Sequence, residues 1–335
     1  MKTEEVSNKI RNASIICSWM VVMIHVIESG CNYTWVVKYG EKGLFSLAVP
    51  FFFMVSGYFL MTHTEERGWW LSALKKRSVT LLIPYFVLST AYVVMMYGVR
   101  ELFAPFFKMG PFCLGKIGNI LGITTFPNQP TLGTMWYIRC LVLLVVLSPL
   151  MVWVVRKSRM IAFGVLVMLF GWNMVMDYIA GDMKFWRLGL SKLGIFYFYL
   201  GLVLRKYYQN LWDVRHKRSM WAVCFMMVGF VLKVPELPWL ESFSLPMMLL
   251  GFWFAVQMCS FPNWLVSNSF AVYVLHMFVL YVCYAILKAL KLVIYAKTIL
   301  GLVVMGGLVF MLTIGLSILV KRYFPKGASL IFGGR

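Results

Sequence analysis

Negative charge is what this chain has least of: 12 Asp and Glu stand against 32 Lys and Arg, and charged residues make up only 13% of 335. A soluble chain carries about twice that share, so an ordinary water-soluble domain is excluded. Cysteine is sparse too. The seven present (Cys17, Cys31, Cys113, Cys140, Cys224, Cys259 and Cys283) include no pair at metal-ligand spacing, and no metal site is expected. Phosphate-binding loops, dinucleotide glycine motifs, zinc motifs and nucleophile elbows are all missing. So are internal repeats, low-complexity tracts and any hydrophilic stretch long enough for a separate soluble domain. No small-residue cleavage site follows the first apolar run, so that run is expected to stay attached rather than serve as a cleaved signal.

What fills the chain is apolar: 61% of residues, with a mean hydropathy of +0.80. Hydrophobic runs long enough to cross roughly 30 Å of hydrocarbon, about 20 residues each, recur from end to end. The expected fold is therefore all-α, a polytopic transmembrane helical bundle with about ten spans. They fall near 13–30, 45–61, 79–98, 134–155, 160–178, 191–204, 219–234, 243–259, 268–288 and 298–320. The net charge of +20 does not form a stripe suited to nucleic acid; the cations cluster between apolar runs. Most fall in the segments that are cytoplasmic if both termini are inside, which is the expected topology. Only the last outer loop, with three lysines, runs against that trend. One membrane-embedded domain over 1–335, with short cytoplasmic tails at about 1–12 and 321–335, is expected in the cell membrane.

The longest non-spanning segment, Val99 to Gly133, carries four prolines and several glycines. It reads equally as a re-entrant or capping loop on the outer face and as a plain surface connection. Cys31 and Cys113 both fall on that face, where the topology permits but does not require a bridge between them.

Ionisable groups inside apolar spans are rare and usually functional. His25 lies about midway along the apolar stretch ASIICSWMVVMIHVI, Ala13 to Ile27. Glu28, three residues on, shares its helical face and can either orient the imidazole or simply be solvated. His276, in SNSFAVYVLHMFVL, is the second intramembrane histidine. Counted from the cytoplasmic ends, His25 is about 18 Å deep and His276 about 12 Å, similar enough for one shared cavity. His63 and His216, in basic surroundings at membrane edges, read as surface residues. Arg11 stands at the cytoplasmic mouth of the first span, roughly 21 Å below His25, a separation that an elongated ligand could bridge. Lys75-Lys76-Arg77 precedes SVTLLIPYF and serves either as a topology determinant or as a phosphate site for a cytoplasmic donor. Arg139 lies beneath Trp136 and Tyr137, which read as an interfacial belt; it either snorkels outward or faces a polar cavity to bind an acceptor or oxyanion.

Four segments in order, RNASIICSWMVVMIHV, AVPFFFMVSGYFL, KKRSVTLLIPYF and SFAVYVLHMF, resemble the acyltransferase 3 family of integral membrane acyltransferases. TMWYIRCLVLLVVLSPL and YFYLGLVLRK are similar to that family's middle helices, so the resemblance runs from about Lys9 to Phe324. It implies ten helices, no tightly bound cofactor, and acyl-CoA as cytoplasmic co-substrate. The acyl group, acetyl or a relative, would pass to a hydroxyl of a glycan or lipid-linked sugar. By position, His25 matches the family's first-helix histidine, Arg11 the arginine before it, and Arg77 the first arginine ahead of the third helix. Where a second arginine commonly follows three residues later, this chain has Thr80, with Lys75 or Lys76 available to compensate.

On that reading His25, with Glu28, deprotonates the acceptor hydroxyl, or is itself acylated. Arg11, Lys75, Lys76 and Arg77 hold CoA, while Arg139 and His276 contact substrate. The alternative from another class is a proton-coupled secondary transporter or glycan exporter relaying protons through His25, Glu28 and His276. The two halves, however, show no inverted echo. A purely structural membrane protein leaves both buried histidines unexplained. Membrane lipid is an expected partner throughout, and nothing in the sequence sets an oligomeric state.

Overall fold

A computed structural model describes residues 2–95, 132–179, 190–208, 218–234 and 237–333. Every regular element among them is helical. In chain order the longer ones are α1 (Lys2–Glu28), α2 (Ala48–Thr62), α3 (Trp69–Arg77), α4 (Ile83–Val93), α5 (Trp136–Lys157) and α6 (Arg159–Ile179). They continue with α7 (Lys192–Tyr207), α8 (Arg218–Lys233), α9 (Pro238–Val256), α10 (Ser269–Ala289), α11 (Ile299–Tyr323) and α12 (Pro325–Ile331). Two π-helical segments, Val36–Leu44 and Ser78–Leu82, lead into α2 and α4.

Among the described residues, six helical stretches are long and apolar enough to cross a membrane: 5–28, 36–62, 133–157, 159–176, 269–289 and 299–323. The other four expected spans also fall on helices: α4, which continues the helical run that begins at Trp69 through Ser78–Leu82, and α7, α8 and α9. The segments expected as tails are structured where described. Residues 2–12 are the first turns of α1, and α12 packs on α4 with Phe332 buried behind it. Most of the segment Val99 to Gly133, Cys113 included, and His216 lie outside the described residues.

α1 is the hub of the bundle and packs against α2, α10, α11 and the first π-helical segment. Two of its polar residues, Asn12 and Ser18, tie it to neighbouring segments. Ser18 donates to the Ser269 carbonyl at 2.9 Å, and Asn12 clamps the turn after α9, donating to the Cys259 carbonyl (3.0 Å) and accepting from the Phe261 amide (3.4 Å). Such bonds hold helices together where lipid tails supply little hydrophobic drive.

Pro149 lies inside α5 and has no N–H for the carbonyl of Val145, four residues earlier. Two donors take it instead: Ser148 Oγ at 2.7 Å and, from α3, the Trp70 indole Nε1 at 3.2 Å. The orphaned carbonyl thus becomes an anchor for α3, the helix that carries Lys75, Lys76 and Arg77 into position.

α2 and α7 approach through Gly57 and Gly201. A Cβ on Gly57 would overlap the Phe198 carbonyl, and one on Gly201 the Met54 carbonyl, so only glycine allows this backbone contact. Gly201→Ala is expected to cost about 1–3 kcal/mol through overpacking and to lower the thermal midpoint of the detergent-solubilised protein. Gly164→Ala, with open space at the new Cβ, is expected to leave it unchanged or raise it slightly. Equal midpoints for the two variants would contradict the close packing of α2 on α7.

Candidate functional site

The two intramembrane histidines meet. Their ring centroids are 5.3 Å apart and their planes 24° from parallel, a stack across the interface of α1 and α10. His25 is not midway along its helix: it occupies the last turn of α1, which ends at Glu28, and its side chain keeps 21% of its exposure. His276 is fully buried.

Backbone and side-chain partners fix both tautomers. His25 Nδ1 lies 2.6 Å from Glu28 Oε2, so the proton sits on Nδ1, donated to the carboxylate, and Nε2 carries the lone pair. His276 Nδ1 donates to the Val272 carbonyl at 3.0 Å, one turn back on α10. Its Nε2 is buried with no hydrogen-bond partner among the described residues. An unsatisfied acceptor at that depth is costly and marks a position built for something other than packing.

Toward the Arg11 end of the bundle lies a cavity of about 710 Å³. Arg11 of α1 and Lys76 and Arg77 of α3 line it, with the serine hydroxyls of Ser7, Ser14, Ser56 and Ser72 between them. None of the three cations forms a hydrogen bond or ion pair among the described residues. Arg77 is half-buried, and burial lowers its pKa from the ordinary guanidinium value. A guanidinium nevertheless stays charged, so the cavity carries three cations against a single lining carboxylate, Glu66. His63, expected as a surface residue, is exposed but also lines this cavity beside Glu66, its partner at 3.5 Å. Lys75, grouped with Lys76 and Arg77 from sequence, is exposed and absent from the lining.

The far end of the cavity is aromatic. Phe52, Tyr137 and Tyr273 close it, with Tyr137 and Tyr273 edge to face at 5.5 Å. Tyr273 donates its hydroxyl to the Thr134 carbonyl at the start of α5, and its ring lies 6.5 Å from that of His276. Tyr137 is buried, not part of an interfacial belt as its neighbourhood in sequence suggests. The order along the molecule is therefore three cations, a tyrosine pair, His276, His25 and Glu28.

Arg139 does not join this line. It is half-buried near the start of α5, within electrostatic reach of Tyr85 on α4 and beside Cys140, and does not line the cavity. Tyr273 was not singled out from sequence. Its one signal is its place three residues before His276, on the same face of α10.

A net cationic cavity whose aromatic end leads through His276 to a carboxylate-oriented imidazole suits transfer of a group carried by an anionic donor. No curated protein and no solved structure is matched by the chain. A family model described as an acyltransferase domain matches residues 10–322, from the turn that holds Arg11 to the last turn of α11. The match decides against the transporter alternative, and the chain belongs to the acyltransferase 3 family of multi-pass membrane acyltransferases.

Proposed function

We propose that this acyltransferase moves an acyl group, acetyl in the simplest case, from cytoplasmic acyl-CoA to a hydroxyl of a glycan or lipid-linked sugar. The observation that carries the reading is the unpartnered trio Arg11, Lys76 and Arg77 in a cavity that ends beside the histidine stack. CoA has several phosphates and no positive group to match them. Its phosphates would sit among the three cations and its thiol arm would run toward Tyr137 and Tyr273. No tightly bound cofactor takes part; acyl-CoA is a co-substrate.

His25 is the base in this scheme. Glu28 holds the proton on Nδ1, so Nε2 accepts the proton of the acceptor hydroxyl as its oxygen attacks the thioester carbonyl. The C–S bond breaks and CoA leaves as thiolate, which is protonated from His25 or water. Glu28 also stabilises the imidazolium formed in between, as in other carboxylate–histidine pairs. His276, with its second nitrogen free to accept, would help to hold the acceptor against His25. The enzyme would work in the cell membrane, with its donor cavity toward the cytoplasm.

Release of free CoA from acetyl-CoA by purified protein, with a membrane or glycan extract as acceptor, tests the reading. His25→Ala is expected to lower turnover by about 10²–10⁴-fold with helicity retained; turnover within a few-fold of wild type would overturn the role of His25. Without acceptor, label from acetyl-CoA is expected not to stay on the protein; label held at His25 would establish the acyl-histidine route instead.

Arg77→Ala removes a charge-assisted contact worth about 1.5–3 kcal/mol. It is expected to raise the KM for acetyl-CoA roughly ten- to a hundredfold, with a smaller effect on kcat. An unchanged KM would remove Arg77 from the donor site.

A further inference from the structure

The helix that carries Lys76 and Arg77 does not run straight into α4. Between them Ser78–Leu82 is π-helical, closed by a bond from the Ile83 amide to the Ser78 carbonyl. Pro84, near the start of α4, accounts for the break: it has no N–H for the Thr80 carbonyl four residues earlier, and its ring crowds that carbonyl in an α-helix. Gly333, which follows α12, meets this carbonyl so closely that a Cβ there would overlap it. We propose that Phe332 and Gly333 are positioning residues for the acyl-CoA site: seated on the Thr80 carbonyl, they hold the π-helical turn that aims Arg77 and Leu81 into the donor cavity. The inference deepens the proposed function and rests on it.

The contact is a fitted one. Gly333 adopts φ +62°, in the left-handed region, so glycine is required both by its backbone and by the approach to Thr80. With only hydrogens on its Cα, it offers the weak C–H···O contact that a carbonyl without its helical donor can accept. Phe332, immediately before it, is 1% exposed, and its amide donates to the Ala328 carbonyl at 2.8 Å to close α12. Lys321 of α11 lies over the Phe332 ring, its Nζ 5.6 Å from the centroid, and the same Nζ reaches Asn268 Oδ1 at 3.0 Å. Phe332 is thereby pinned to the turn before α10, whose first residues, Ser269 and Phe270, line the donor cavity.

Arg77 thus lies between two holds. The Trp70 bond to α5 fixes the start of α3, and Gly333 fixes the turn that follows it. A π-turn carries one residue more than an α-turn, a shift of about 100° around the helix axis. If the turn slackened while α4 stayed packed, Arg77 would swing out of line with Arg11. The charges would remain but no longer converge, so donor affinity would suffer rather than the chemical step.

Hydrogen exchange on the full-length protein in detergent reads the hold without any donor. Gly333→Ala is expected to speed exchange of the amides of residues 78–83 several-fold and to leave α1 unchanged. Gly327→Ala, whose Cβ would stand at an ordinary 3.8 Å from Phe324 Cβ, should match wild type. Phe332→Leu, which keeps an apolar side chain in place, should give the same change as Gly333→Ala to a smaller degree. In turnover, Gly333→Ala should raise the KM for acetyl-CoA about tenfold, with kcat within about twofold of wild type. A residue that acts through Arg77 has nothing further to lose once Arg77 is gone, so Arg77→Ala/Gly333→Ala should match Arg77→Ala alone. Unchanged exchange at 78–83, or a KM effect that persists in full in the Arg77→Ala background, would overturn the inference. Turnover of acetyl-CoA by wild type with unchanged exchange in Gly333→Ala defeats the positioning role alone. Faster exchange in Gly333→Ala beside a wild type that releases no CoA defeats the acyl-CoA reading alone.

Discussion

One helix fixes the distance between the cation at one end of the protein and the base at the other. Arg11 and His25 both ride on α1, roughly 21 Å apart along its axis, and no hinge lies between them. Everything else is arranged around that spacing: α3 brings Lys76 and Arg77 to the Arg11 end, and α10 brings His276 onto His25. A ligand that reaches both ends must be long, anionic at one end and reactive at the other, which describes acyl-CoA better than it does an ion or a small solute.

The placement of these residues depends on a rule of the bilayer, that a backbone polar group left without a partner is costly. Pro149 deprives the Val145 carbonyl of its helical donor, Trp70 supplies another, and α3 is tied to α5 as a result. Asn12 spends both halves of its amide on the turn after α9, one residue from Arg11. Tyr273 caps the Thr134 carbonyl with its hydroxyl while its ring faces His276. In each case the bond that satisfies the backbone also positions a residue of the site. Against this background, the unsatisfied Nε2 of His276 and the unpartnered trio of cations stand out as groups kept for a ligand.

Much of this was legible in the sequence. The apolar runs coincide with helices among the described residues because a hydrocarbon core allows little else. The His25–Glu28 contact follows from a spacing of three on a helix, and the histidine stack follows from similar depths counted along two spans. Other features were not legible. Tyr137 and Tyr273 are two among 17 tyrosines in a chain where aromatics at helical spacing are the rule, so nothing in their pattern marks a cavity floor. Lys75 falls outside the cavity because the face of α3 that turns inward is set by the Trp70 bond, a contact across 75 positions of chain, while His63, at the end of α2, lines it.

The central claim, that donor and base act at opposite ends of one continuous path, is tested most directly by sidedness. In sealed vesicles of known orientation, radiolabelled acetyl-CoA would be supplied to one face at a time and labelled acceptor measured on each side. The arrangement of the site predicts that only the face bearing Arg11, Lys76 and Arg77 accepts acetyl-CoA, and that label accumulates on acceptor at the face bearing His25 and Glu28. Use of acetyl-CoA from the His25 face, or labelled acceptor confined to the side of the donor, would contradict it.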